Sequence, residues 1–342
     1  MNFKPKNVLI TGGAGFIGSN HVRWLLNNDD DAKVINLDAM TYAGSMENLH
    51  DLPDGRHVFV KGDICDRALI DKLLREHEID TIVHFAAESH VDRSISGPAA
   101  FVQTNVVGTF TLLEAARMYW LEEKKWGSDQ CRFHHISTDE VYGTLEANDP
   151  AFTETNPYYP NSPYSASKAG SDHLVRAYFH TYGLPVTTSN CSNNYGPYQH
   201  PEKFIPTVIR SCLAEKKIPV YGDGTNIRDW LYVEDHCSAV DRIIRQGRLG
   251  EVYNIGGCNE WTNIDIARLI CETLDELSPR KSGVHAELIE YVTDRPGHDW
   301  RYAIDNTKIQ NELEWKPSIQ FEQGIRKTIE WYLTNRDYLN RV

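Results

Sequence analysis

The 342 residues suffice for one large unit or two of moderate size, and 41% apolar, 24% charged and 11% aromatic residues make an ordinary globular composition. A net charge of -13 argues against general affinity for nucleic acid, and no run approaches the roughly 18 apolar residues of a membrane span. The N-terminus enters a strand pattern without the apolar stretch of a cleavable signal, which predicts a cytoplasmic protein. The seven scattered cysteines, never spaced Cys-x-x-Cys, read as reduced thiols, with no metal expected.

In chain order, residues 8–10, 34–37, 57–60, 81–85 and 133–136 read as strands. Amphipathic helical patterns cover 18–27, 67–77 and 105–120. Such alternation predicts a doubly wound parallel sheet with helices on both faces. Residues 121–130 form a polar, exposed excursion, and a helix over 164–182 precedes the apolar run 185–188. Beyond it Pro and Gly cluster, as in Asn194-Tyr195-Gly196-Pro197 and Tyr221-Gly222-Asp223-Gly224. These are loops joining shorter elements, which predicts a second, smaller and irregular α/β unit.

Thr11-Gly12-Gly13-Ala14-Gly15-Phe16-Ile17-Gly18 joins the first strand to the first helix. Glycines at this spacing allow a tight turn, close approach of backbone amides to a pyrophosphate, and tight helix–strand packing. The helix N-terminus adds free N–H groups and a positive dipole end. Asp38 ends the second strand, 20 residues beyond Gly18, where a carboxylate can accept from ribose hydroxyls. No Lys or Arg occurs between Asp38 and Met46 to pair with a 2′-phosphate, so NAD is expected over NADP. Gly62-Asp63-Ile64 places another carboxylate after the third strand, near the adenine.

Tyr164-Ser165-Ala166-Ser167-Lys168 puts a phenol and an ammonium on one helix face, with Cβ atoms about 5–6 Å apart. A nearby cation stabilises phenolate, so the pair can act as a base toward a hydroxyl. With the glycine turn and Asp38, these residues carry a resemblance. Over nearly its whole length the chain resembles the extended short-chain dehydrogenase/reductase family. The resemblance implies a Rossmann domain and a triad completed by a Ser or Thr after the fifth strand, here Thr138. Ser137-Thr138-Asp139-Glu140-Val141-Tyr142-Gly143 looks like the signature of the family's sugar-nucleotide 4,6-dehydratases. Elimination across C5 and C6 of a sugar needs a base and an acid on adjacent atoms, which Asp139 and Glu140 can supply. The implied substrate is dTDP-glucose, and the implied class is an NAD-dependent lyase.

By the same resemblance the cofactor set is Gly12, Gly15, Phe16, Ile17, Gly18, Asp38, Ala39, Met40, Thr41, Asp63, Ile64, Phe85, Ala86, Ala87, Glu88, Ser89, Thr104 and Asn194, with Tyr164 and Lys168. The substrate set is Ser89, Thr138, Asp139, Glu140, Asn193, Lys203, Phe204, Pro219, Tyr221, Arg228, Asn263, Arg295 and His298. Trp300 stands where the family usually has Arg. The cofactor unit is expected over 1–189 with 229–257, and the sugar-nucleotide unit over 190–228 with 258–342. The family's dimer, a bundle of two helices from each subunit, would use 105–120 and 164–182; Val106, Val107, Phe110, Leu113 and Ala116 give the first of them surplus apolar surface. Rival readings are a UDP-sugar 4-epimerase, a UDP-glucuronate decarboxylase, and a catalytically silent NAD-binding regulator.

Overall fold

The computed structural model describes residues 2–53, 55–294 and 299–340. Its strands are β1 (Asn7–Thr11), β2 (Lys33–Asp38), β3 (His57–Lys61), β4 (Thr81–His84), β5 (Arg132–Thr138), β6 (Val186–Cys191) and β7 (Asn193–Tyr195). They continue as β8 (Ile218–Tyr221), β9 (Ile227–Tyr232), β10 (Val252–Ile255), β11 (Glu260–Thr262), β12 (Ile289–Val292) and β13 (Arg301–Tyr302). The helices that matter below are α1 (Phe16–Asn28), α2 (Arg67–Glu76), α3 (Pro163–Tyr182), α4 (Phe204–Leu213), α5 (Val233–Gln246), α6 (Asn263–Leu277), α7 (Thr307–Leu313) and α8 (Phe321–Thr334).

Seven parallel strands make the large sheet, ordered β3-β2-β1-β4-β5-β6-β10. Strands covered by helices on both faces need apolar side chains in both directions, and β5 and β6 are buried at every residue. The sheet is the doubly wound one expected from the alternation of elements. The strand order reverses between β1 and β4, where such sheets open a crevice at their C-terminal ends. Register makes that edge level: Thr11 pairs with Leu37 and His84, His84 with His135, and Thr138 with Cys191.

The second unit holds β9 between antiparallel β11 and parallel β13, with β7 also paired to β9, and a separate parallel pair β8–β12. Its core packs α4, α6 and α8 against these strands through Ile205, Ile209, Trp230, Ile266, Ile270, Phe321 and Ile325. The chain divides differently from the sequence expectation at two places. β9, placed at the start of a cofactor segment, pairs entirely within the second unit. Ile309, Leu313 and Trp315, placed in the second unit, pack into the core of the large sheet beside α5. Short apolar runs near residues 230 and 310 carry no mark of which sheet they will join, because that choice is made by non-local pairing.

The helix expected over 105–120 runs over 98–123, with its stretches Val102–Gly108 and Arg117–Glu123 wound as π-helix. Pro98 sets its first turn after Gly97. Among the described residues no helix is long and apolar enough to cross a membrane.

Candidate active site

A cleft of about 370 Å³ lies across the strand ends, bounded by both units. Its floor is the glycine turn. Gly12 has φ +71°, and a Cβ there would stand 2.7 Å from the Ala86 backbone. At Gly18 a Cβ would strike the Gly12 carbonyl, so helix and turn touch through bare backbone. α1 starts at Phe16 behind Gly15 with no side-chain cap, leaving its first-turn N–H groups for an anion.

Asp38 lines the cleft and is buried. Its carboxylate accepts from the Ala14 N–H (2.9 Å) and the Met40 N–H (2.8 Å). Burial raises its pKa against the pull of these two bonds. A carboxylate has capacity for about four acceptor contacts, so it can hold the turn and still receive ribose hydroxyls. Ala39, Thr41, Asp63, Ile64, Phe85, Ala86, Ala87, Glu88, Ser89, Thr104 and Asn194 line the cleft with Gly12, Gly15, Phe16, Ile17 and Gly18. Met40, expected with them, is not a lining residue and contributes its backbone N–H to Asp38. Lys168 and Lys203 are the only Lys or Arg among the lining residues described, and neither belongs to the loop after Asp38. Cradle, N–H groups and unneutralised acid together suit NAD.

The opposite wall carries the reactive groups. β5 ends at Thr138, whose hydroxyl donates to Asp139 Oδ1 (3.3 Å) and accepts from the Glu140 N–H (3.3 Å). α3 begins beside it under a capping box in which Ser162 and Ser165 bond each other's backbone N–H, with Pro163 in the first turn. This cap fixes the turn that presents Tyr164. Lys168 is buried one turn on and donates to the Ile136 carbonyl (2.7 Å). Thr138, Asp139, Glu140, Tyr164, Lys168, Asn193 and Lys203 all line the same cleft.

Burial dominates the electrostatics. It raises Asp139 well above the carboxylate range, helped by Glu140 and Asp229 and opposed by Arg228 and Thr138. It also raises the Tyr164 phenol, helped by Glu140 and opposed by a hydrogen bond with Thr138. The lowering of Tyr164 expected from Lys168 is therefore not what the chain alone produces, because burial and the charge of Glu140 outweigh it. Burial lowers Lys203, against the charges of Glu202 and Glu140.

Several expected substrate residues are not among those lining this cleft. Phe204 opens α4 and packs on the core of the second unit. Pro219 and Tyr221 sit on the exposed side of β8. Arg228 is buried in β9, donating to the carbonyls of Ile227, Asp299 and Trp300 and lying 4.5 Å from the Tyr302 ring centroid. Asn263 starts α6, its N–H on the Asn226 carbonyl (3.1 Å). Arg295 and His298 fall outside the described residues.

Other functional positions escaped the sequence reading. Asn105, expected to open a helix, lies inside one, and its side chain joins Glu88 to Ser167 (2.9, 3.0 and 2.8 Å), pinning the cleft loop to α3. Tyr42, His200 and Glu202 line the cleft mouth, where Arg93 lies 3.8 Å from the Tyr42 ring centroid and 3.4 Å from Glu202. The only sequence signal for these was proximity to Thr41 and Lys203.

A family profile described as GDP-mannose 4,6 dehydratase matches residues 9–328. A dTDP-glucose 4,6-dehydratase of Xanthomonas campestris pv. campestris (strain B100) is 58% identical over 98% of this chain and 95% of its own length. The crystal structure of the dTDP-glucose 4,6-dehydratase of Bacillus anthracis str. Ames, in complex with NAD, superposes with a TM-score of 0.86 at 46% identity, covering 98% of this chain and 99% of that one. A UDP-glucose 4-epimerase of Thermotoga maritima follows the same fold at TM-score 0.84 and 28% identity, covering 96% and 99% of the two chains. With its glycine turn, its Tyr164–Lys168 helix and its acid pair gathered in one cleft, the chain belongs to the GDP-mannose 4,6 dehydratase family of extended short-chain dehydrogenases/reductases.

Proposed function

We infer that the protein is an NAD-dependent lyase that converts dTDP-glucose to dTDP-4-keto-6-deoxyglucose. The observation that carries this reading is the placement of Asp139 and Glu140 in the cleft that also holds Tyr164, Lys168 and the glycine turn. An epimerase needs no acid pair for elimination, and a silent binder needs neither pair. Likeness to the Xanthomonas and Bacillus dehydratases supports both substrate and cofactor.

Gly12, Gly15 and the α1 N-terminus would hold the cofactor pyrophosphate, and Asp38 the ribose. When bound, NAD supplies the hydride acceptor at C4, the later donor to C6, and a ring charge that favours phenolate. Tyr164 takes the O4 proton as C4 is oxidised, and the C4 ketone acidifies the C5 proton. Glu140 removes that proton, Asp139, kept protonated by burial, protonates the departing C6 hydroxyl to release water, and Glu140 returns its proton to C5 as C6 is reduced. Lys168 sets the charge beneath Tyr164. Asn193 and Lys203 are donors suited to the diphosphate.

The test is incubation of the purified protein with dTDP-glucose and catalytic NAD, following the alkaline absorbance of the 4-keto product. Accumulation of a C4 epimer without that product would reverse the reading. The protein acts in this proposal as a cytoplasmic homodimer. The dimer rests on Val102, Val107, Phe110 and Met118, which stand exposed along the helix 98–123.

A further inference from the structure

A carboxylate is costly to bury, and Asp172, buried in α3, belongs to no step above. Its Oδ2 accepts from Ser137 Oγ (2.8 Å), and its Oδ1 lies 3.0 Å from His135 Nε2. Between those two β5 residues, Ile136 offers its carbonyl to Lys168 Nζ (2.7 Å), and Lys168 stands one turn before Asp172 on α3. Three consecutive strand residues are thus tied to two helix residues, immediately before Thr138, Asp139 and Glu140. We propose that Asp172 is a positioning residue for the reaction, a fixed anion one helical turn from Lys168 that locks the strand leading into the acids to the helix bearing Tyr164.

The surroundings leave few other sources of negative charge. Lys168 is faced by His84, His135, Asp172 and Cys191. Asp172 is faced by Lys168, His135, His173, Tyr142 and Tyr158. Burial holds His84 and His135 neutral and pushes the Cys191 thiol up to about 12. Burial lowers the Lys168 pKa, and Asp172 is the larger of the influences that oppose it. Asp172 itself is pushed by burial up to about 6, so it is ionised at neutral pH.

The inference rests on the reading of Tyr164 and Lys168 as the oxidation pair. Asp172→Asn preserves size, keeps one of the two acceptor oxygens and removes the charge. We expect kcat to fall about 10- to 100-fold, KM for dTDP-glucose to stay within about twofold, and the alkaline limb of kcat to move down by about one pH unit or more, because Lys168 deprotonates earlier. Asp172→Glu, which keeps the charge, should retain the wild-type limb even where misfit lowers kcat. A role confined to stability would lower Tm in Asp172→Asn and leave the limb in place, and an unmoved limb overturns the proposal. Should Asp172→Asn not fold, the 13C shift of the Lys168 side chain in the wild type decides, assigned by its loss in Lys168→Met. An ammonium persisting at about pH 9 supports the proposal, and one lost by about pH 8 overturns it. Wild-type protein that makes no keto sugar from dTDP-glucose would instead overturn the functional reading itself.

Discussion

Asp139 and Glu140 are neighbours in sequence with different surroundings. Asp139 is 2% exposed and raised by burial, while Glu140 is half-buried and lies within reach of the Lys203 charge. The difference predicts separable defects. Tyr164→Phe should abolish C4 oxidation and everything after it. Asp139→Asn and Glu140→Gln should still oxidise C4 while losing about two or more orders of magnitude in dehydration. Single turnover of substrate deuterated at C5 assigns the base: the label should wash out at the wild-type rate in Asp139→Asn and be retained in Glu140→Gln. Washout at the wild-type rate in Glu140→Gln would remove Glu140 from that role. Asp38→Ala removes a ribose acceptor and the clasp on Ala14 together, so NAD affinity should drop about 10- to 100-fold by calorimetric titration. An affinity that did not change would place the ribose elsewhere.

At the scale of elements, two helices carry most of the function. α3 presents Tyr164 in its first turn, so its cap is also a catalytic support. Ser162→Ala should cost about 1 kcal/mol by chemical denaturation and lower kcat more than KM, since the loosened turn is the one that holds the phenol. The helix 98–123 was legible as a helix with more apolar surface than one contact needs. The structure divides that surface: Leu113 and Ala116 are fully buried against the sheet, whereas Val107 and Phe110 are 38% and 47% exposed. Phe110→Glu should therefore yield a monomer by light scattering, with the fold intact by circular dichroism. A dimer surviving that change would put the interface on another face. The start of this helix was not legible, because Gly97 gives it no side-chain cap and Thr104 reads as a cap for a helix opening at Asn105.

Across the whole molecule, legibility followed sequence distance. β1 to β5 could be read because each is an apolar run bounded by turn residues, and Asp38, Thr138 and Tyr164 sit at the ends of such elements. Pro219, Tyr221 and Asn263 could not be placed, since their positions depend on pairings between segments far apart in the chain. A different whole-molecule property comes from buried imidazoles. Burial depresses His21 and His236 to about 3 and holds His84, His134 and His135 well below their usual range. These five imidazoles bind more protons in the unfolded chain than in the folded one below about pH 6.5, so their contribution to stability falls as pH falls through that region, offset in part by Asp139 and Asp172, which burial raises and which take up protons in the folded state. At pH 5 each such group costs on the order of 2 kcal/mol relative to neutral pH. Denaturant unfolding at pH 5 and pH 7 should differ by several kcal/mol, and equal values would contradict this account.

The chain passes between the two units after β6, after β9, after β10, after β13 and again after Trp315. Such stitching makes the cleft a seam rather than a hinge. With five crossings no single connection serves as a pivot, so opening of the walls would take the form of small concerted sliding. The same seam means that each unit needs strands or helices from several separate segments to close its core. A protease cut in any one exposed loop should leave two fragments that still travel together through gel filtration and melt in one transition.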